Sequence, residues 1–168
     1  NATKLVEGYV NNYAWSPDGR WIAYVQQHSY PTGSGGTDIF IIPAAGGTAV
    51  NVTNYPAGNR SPVWSRDGRR LAFVSTRGPG EGNSDVYQIW LRRADDEKTR
   101  EDWTMEEDAQ GGRGARGDSA GAAGAGGAGG GAAGPRTPPN VQIDFDGITD
   151  RARKVSDGML VRGFSFSP

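Results

Sequence analysis

Residues 14–25 read AWSPDGRWIAYV and residues 63–74 read VWSRDGRRLAFV. A twelve-residue phrase written twice, 49 positions apart, points to a fold made by stacking one repeated unit. The phrase itself describes a hairpin. Pro17 presets φ for the first corner of a turn, Asp18 bonds its own following backbone, and Gly19 takes the positive φ that strains other residues. The run Trp21-Ile22-Ala23-Tyr24-Val25 then favours strand at all but one position. In the second copy Arg66 replaces Pro17, and Asp67-Gly68 keep the turn.

More strands follow in the same order. DIFIIP (38–43) and DVYQIWL (85–91) each open on Asp after a polar loop. VNVTNY (50–55) precedes the second hairpin, with echoes in TKLVEG (3–8) and RKVSDG (153–158). A four-stranded unit of roughly 40–50 residues, repeated, is the signature of a β-propeller blade, because a single small sheet cannot cover both of its apolar faces. The expected fold is all-β: a β-propeller fragment of about two four-stranded blades plus the start of a third. Residues 1–12 close a preceding blade, 13–55 form the first blade, and 56–91 with 141–156 form the second. Residues 157–168 begin the third. Trp15 and Trp64 occupy equivalent inter-blade positions, with Phe166 in that place in the third copy. Such a piece, with blade faces left open, is expected to fold poorly or to associate through those faces.

The second blade is interrupted. Residues 92–140 hold a run dense in both charges, a Gly/Ala tract and PRTPPN. Of the 24 residues from Gly111 to Gly134, 12 are Gly and 8 are Ala, too little apolar surface to offset the entropy of ordering. The expectation is a disordered insertion. Order resumes at VQIDFDGITDRARKV (141–155), where Val141, Ile143 and Phe145 alternate with polar residues as in a half-buried strand, and Asp146-Gly147 turns the chain.

Here a resemblance enters. A WSPDG hairpin is shared by several propellers, including TolB and those of prolyl-oligopeptidase relatives. The charged insertion followed by Val141, Ile143, Asp144, Phe145, Asp146, Gly147, Ile148 and Arg151 resembles the N-terminal propeller region of tricorn-type serine peptidases; the polar Ala152-Arg153-Lys154 departs from that pattern. The resemblance implies a propeller that serves as scaffold and as a size filter for peptides or unfolded protein, with hydrolysis in a domain outside these residues. No catalytic, cofactor-binding or metal-binding residue is carried over. A TolB-like propeller binding protein partners, and the propeller of a prolyl-oligopeptidase-type enzyme, are the alternatives.

Composition narrows the other classes. Net charge is −1, without the basic field that holds nucleic acid. Apolar runs such as IFII (39–42) are far short of the ~20 residues of a membrane span. Cysteine is absent, which removes disulfides and thiolate ligands and fits a periplasmic or a cytoplasmic location equally. The chain starts at Asn1 and stops inside the repeat pattern, so it reads as part of a longer one.

Individual residues point to packing rather than chemistry. His28, the single histidine, lies in a Gly-rich loop and reads as a surface residue. Asp144, Asp146 and Asp150 begin like a calcium loop but lack its closing Glu. Tyr9, Tyr13, Tyr30, Tyr55 and Trp21 read as packing between blades rather than as a peptide-binding rim. The Arg116-Gly117-Asp118 tripeptide and the sequons at Asn1 and Asn51 are short enough to arise by chance.

Overall fold

A computed structural model describes residues 4–31, 33, 35–78, 84–114, 138–156 and 164–166. Residues 1–96 with 138–168 make one compact unit and 97–137 a second. The first unit holds two four-stranded antiparallel sheets, each with its strands side by side in chain order. One sheet contains β1 (Val10–Trp15), β2 (Trp21–Ser29), β3 (Gly35–Pro43) and β4 (Val50–Asn51). The other contains β5 (Asn59–Trp64), β6 (Arg70–Ser75), β7 (Asp85–Trp90) and β8 (Ala152–Lys154). These are two blades of a β-propeller.

The first two strands of each blade are joined by the repeated turn. Gly19 and Gly68 lie at φ 70° and 69°, and their N–H groups donate to the carbonyls of Ser16 and Ser65 at 2.9 and 3.0 Å. Serine does more than the sequence suggested. Ser16 Oγ donates to Asp18 at 2.6 Å and accepts from Trp21 N–H at 2.9 Å. Ser65 Oγ likewise donates to Asp67 and accepts from Arg70 N–H. The turn is therefore held by Ser, Asp and Gly, which is why Arg66 stands in for Pro17 without loss.

The fourth strands are only two and three residues long, and an Asp in each third strand, Asp38 within β3 and Asp85 at the start of β7, supplements them. Buried Asp38 accepts from Thr53 Oγ1 at 2.7 Å, Asn51 Nδ2 at 2.9 Å and Asn59 Nδ2 at 3.1 Å. Buried Asp85 pairs with Lys154 Nζ at 3.0 Å and accepts from Ser156 Oγ at 3.3 Å. A buried carboxylate is tolerated only when paired and hydrogen-bonded, so each Asp fixes the strand beside it.

Between the sheets, Ala23, Val25, Ile39 and Ile41 meet Leu71, Phe73 and Ile89 in one core. Trp64 is 7% exposed, and its indole N–H donates to the Ala14 carbonyl of the neighbouring blade at 3.1 Å. Its equivalent Trp15 is 53% exposed. Trp15, Tyr13, Ile22, Tyr24 and Ile42 line a groove of about 320 Å³ on the far face of the first sheet. Both faces of that sheet are apolar, and the far face has the composition of a blade joint.

Two expectations are corrected. Of the insertion expected to be disordered, 92–140, the part up to residue 114 holds two helices, α1 (Arg93–Asp96) and α2 (Arg100–Gly114). Thr99 caps α2 reciprocally: its N–H and hydroxyl bond the Asp102 carboxylate at 2.8 Å, and Asp102 N–H donates back to the hydroxyl at 3.2 Å. Lys98 lies 4.3 Å from the Trp103 ring centroid and pairs with Glu106. The Gly/Ala tract from residue 115 onward lies outside the described residues, as do 157–163 of the expected third blade. Residues 141–145 keep the expected alternation of burial but join no ladder, because side chains and a loop carbonyl take their backbone groups.

Trp64→Ala is expected to destabilise the chain by about 3–5 kcal/mol, and Trp15→Ala by less than about 1 kcal/mol, in urea titrations. Equal losses would contradict the packing assigned to Trp64. Sedimentation should show self-association that Tyr13→Ser with Trp15→Ser reduces; a concentration-independent monomer would remove the open-face interpretation.

Candidate functional site

The motif that singled out this chain forms the stem of its insertion. The chain leaves β7 at Leu91, passes through α1, and returns along residues 138–147 into a 3₁₀ turn, Ile148–Arg151, that feeds β8. Gly147, at φ 61°, makes the corner.

Arg151 sits inside this corner at 4% exposure. Its guanidinium donates to the carbonyls of Trp90 at 3.0 Å, Leu91 at 3.3 Å and Asp146 at 3.2 Å, and to that of Asp144. One planar cation thereby satisfies carbonyls from both the outgoing and the returning limb. Burial pushes the Arg151 pKa down, opposed by Asp144 and, more weakly, by Asp96 and Asp146. Around it, Asp144 N–H donates to Leu91 O at 2.9 Å and Arg93 N–H donates to Asp144 Oδ2 at 3.0 Å. Arg93 also pairs with Asp146 at 2.9 Å, and Arg153 with Asp96 at 3.0 Å.

Of the carboxylates that began like a calcium loop, Asp144 accepts from the Arg93 main-chain N–H and Asp146 from the Arg93 guanidinium. His28, expected in a surface loop, is instead half-buried within β2 and packs edge-on against Tyr30 at 4.8 Å. Tyr30 donates its hydroxyl to Asp38, and burial with that carboxylate pushes its pKa up. Tyr55 lies over Arg77, 4.7 Å from guanidinium to ring centroid, with Phe73 and Tyr87 at 5.3 and 4.9 Å. Trp21 meets Phe145 at 5.6 Å. Tyr9 and Tyr13 are exposed. Asn51, a sequon residue, spends its amide on Asp38; Asn1 and residues 116–118 lie outside the described residues. The stem can hold and present an insertion. Arg151 was signalled in the sequence only through the resemblance, and Arg93 was not signalled at all, because 51 residues separate it from Asp144.

No family model matches the chain. It is 42% identical over 80 residues to putative tricorn protease homolog 2 of Streptomyces coelicolor, covering 45% of this chain and 6% of that protein. It is 38% identical over 78 residues to the Tol-Pal system protein TolB of Francisella tularensis, covering 46% and 16%. Over 71 residues it is 32% identical to the uncharacterized peptidase YuxL of Bacillus subtilis, covering 42% and 10%. The crystal structure of the tricorn protease superposes with a TM-score of 0.51 at 14% identity over 89% of this chain and 13% of that one, a likeness of fold. The chain is similar to the propellers of TolB and tricorn-type proteins. It spans only 6%, 16% and 10% of the lengths of these three curated relatives. No helix among the described residues is long and apolar enough to cross a membrane.

Arg151→Met leaves four carbonyls without their donor and is expected to cost about 3 kcal/mol. Arg151→Lys should recover little, since an ammonium lacks the planar fork. A Lys variant as stable as the parent in urea would show that charge alone suffices.

Proposed function

We propose that the chain is the propeller part of a tricorn-like serine peptidase acting on peptides or unfolded protein, with the hydrolytic residues in another domain. The observation that carries this reading is the 42% identity to a tricorn protease homolog. Similarity to a second peptidase supports it. In this role the blades are wall and scaffold. A ring of such sheets encloses a channel that admits extended chain and excludes folded domains. The stem lets the second blade carry a long insertion while its fourth strand stays paired.

A TolB-like propeller that binds protein partners is the second reading, and the 38% identity to TolB favours it. The test uses the full-length polypeptide that contains this chain, assayed on an unstructured casein-type substrate and on the same substrate fused to a stable folded domain. Hydrolysis of the first, with the folded domain left intact and a serine-directed fluorophosphonate probe bound, is the expected result. A polypeptide that neither hydrolyses the substrate nor takes the probe would leave the binding propeller.

A further inference from the structure

The return limb of the insertion does not run straight back to its own blade. Before it reaches Leu91 and Arg151 it crosses the β1–β2 turn of the first blade. There Val141 N–H donates to Asp18 Oδ2 at 2.9 Å and Val141 O accepts from Arg20 Nη2 at 2.8 Å. Arg20 also bonds the Asn140 side chain. Both main-chain polar groups of Val141 are thus held by the neighbouring blade, and its side chain is buried in the shared core. Four residues later Phe145 packs edge-on to Trp21 of β2. The limb lies as close to the second blade's turn: a Cβ on Gly68 would stand 2.7 Å from Val141 Cγ2.

Among the described residues this contact joins the Trp64 indole bond to Ala14 O as a polar tie at this end of the joint. At the opposite end of the strands, Thr37 N–H donates to Ala57 O at 3.2 Å, Thr37 Oγ1 to Asn59 O at 2.9 Å, and Asn59 to Thr37 O and Asp38 at 2.9 and 3.1 Å. Register puts Asp38 opposite Gln26 and Trp21 opposite Pro43, so the two sets of ties are separated by most of the length of β2. The Asp18 carboxyl is held at about 2: desolvation opposes its ionisation, and donors from Ser16, Val141 and Arg20 together outweigh that.

We propose that residues 138–145 are a strap tying the first blade to the second at the β1–β2 turn, with Asp18 and Arg20 as its catch, so that the insertion's return limb and the blade joint are one coupled element. The strap spans two blades although the insertion belongs to one. Whatever pulls on or engages the insertion from residue 138 onward is felt at the joint.

The repeat supplies its own control. Asp18 and Asp67 make the same turn bonds, to the serine two residues earlier and to the N–H two residues later, but Val141 bonds Asp18. Amide exchange is measured by NMR on the full chain for Asp18→Ala, Asp67→Ala and Arg20→Met, reading the Val141 amide and the Trp64 indole N–H. Asp18→Ala is expected to speed exchange of both by about tenfold, the loss of one charged hydrogen bond. Asp67→Ala should leave the Val141 amide within about threefold of the parent. Arg20→Met, at an exposed side chain that leaves the Asp18 carboxylate in place, should speed both probes in the same direction even if Asp18→Ala fails to fold. Equal effects of Asp18→Ala and Asp67→Ala on Val141 would make Asp18 a turn residue only and overturn the strap. Faster Val141 exchange with Trp64 unmoved would overturn the coupling.

Discussion

A small sheet with two apolar faces has to be covered twice, and everything else in this chain follows from how that is done. The first sheet turns Val25, Ile39 and Ile41 toward Leu71, Phe73 and Ile89. The same sheet turns Ile22, Tyr24 and Ile42 the other way. Trp64 shows what a satisfied joint looks like: the ring is buried and its indole N–H reaches a main-chain acceptor on the next blade. A tryptophan interior to a joint contributes a large apolar area, and its polar atom sets the orientation in which that area can be buried.

Apolar packing alone would let one blade slide on the other, since dispersion and hydrophobic burial are non-directional. Direction comes from polar groups at the two ends of the strands. Asp38, Thr37 and Asn59 link the blades at one end; the Ser-x-Asp-Gly turn and the limb resting on it do so at the other. Arg151 belongs to the same economy of buried charge. It is costly to bury a guanidinium, and this one is kept because carbonyls of two chain limbs converge on it, a geometry that a neutral side chain could not satisfy.

Much of this was legible in the residues. The register of Trp, Ser, Asp and Gly in the two phrases located the turns, and the order of the strands after each phrase located the blades. The serine's role was not legible, because Ser16 and Ser65 act through a five-residue reach to Trp21 N and Arg70 N that only the closed turn creates. The period of two in 141–145 gave the burial correctly and the pairing wrongly. Alternation reports which side chains face inward, whereas the ladder depends on where N–H and C=O groups find partners, and here Asp18, Arg20 and Leu91 supply them. Helix α2 escaped a reading based on composition, since its sequence is strongly polar. The local signal was Thr99 followed three residues on by Asp102. The far face of the first sheet could not be read from Trp15 and Trp64, which share the W-S-x-D-G-R context and differ in exposure, 53% against 7%.

The two sheets meet as adjacent propeller blades through Trp64. A nuclear Overhauser contact between the Trp64 indole N–H and the Ala14 methyl group, 50 residues apart in sequence, measures it directly. The account predicts that contact, together with an indole proton at Trp64 that exchanges far more slowly than the one at Trp15. Absence of the contact, with both indoles exchanging alike, would mean that the two hairpins fold as separate units and that the joint described here does not exist.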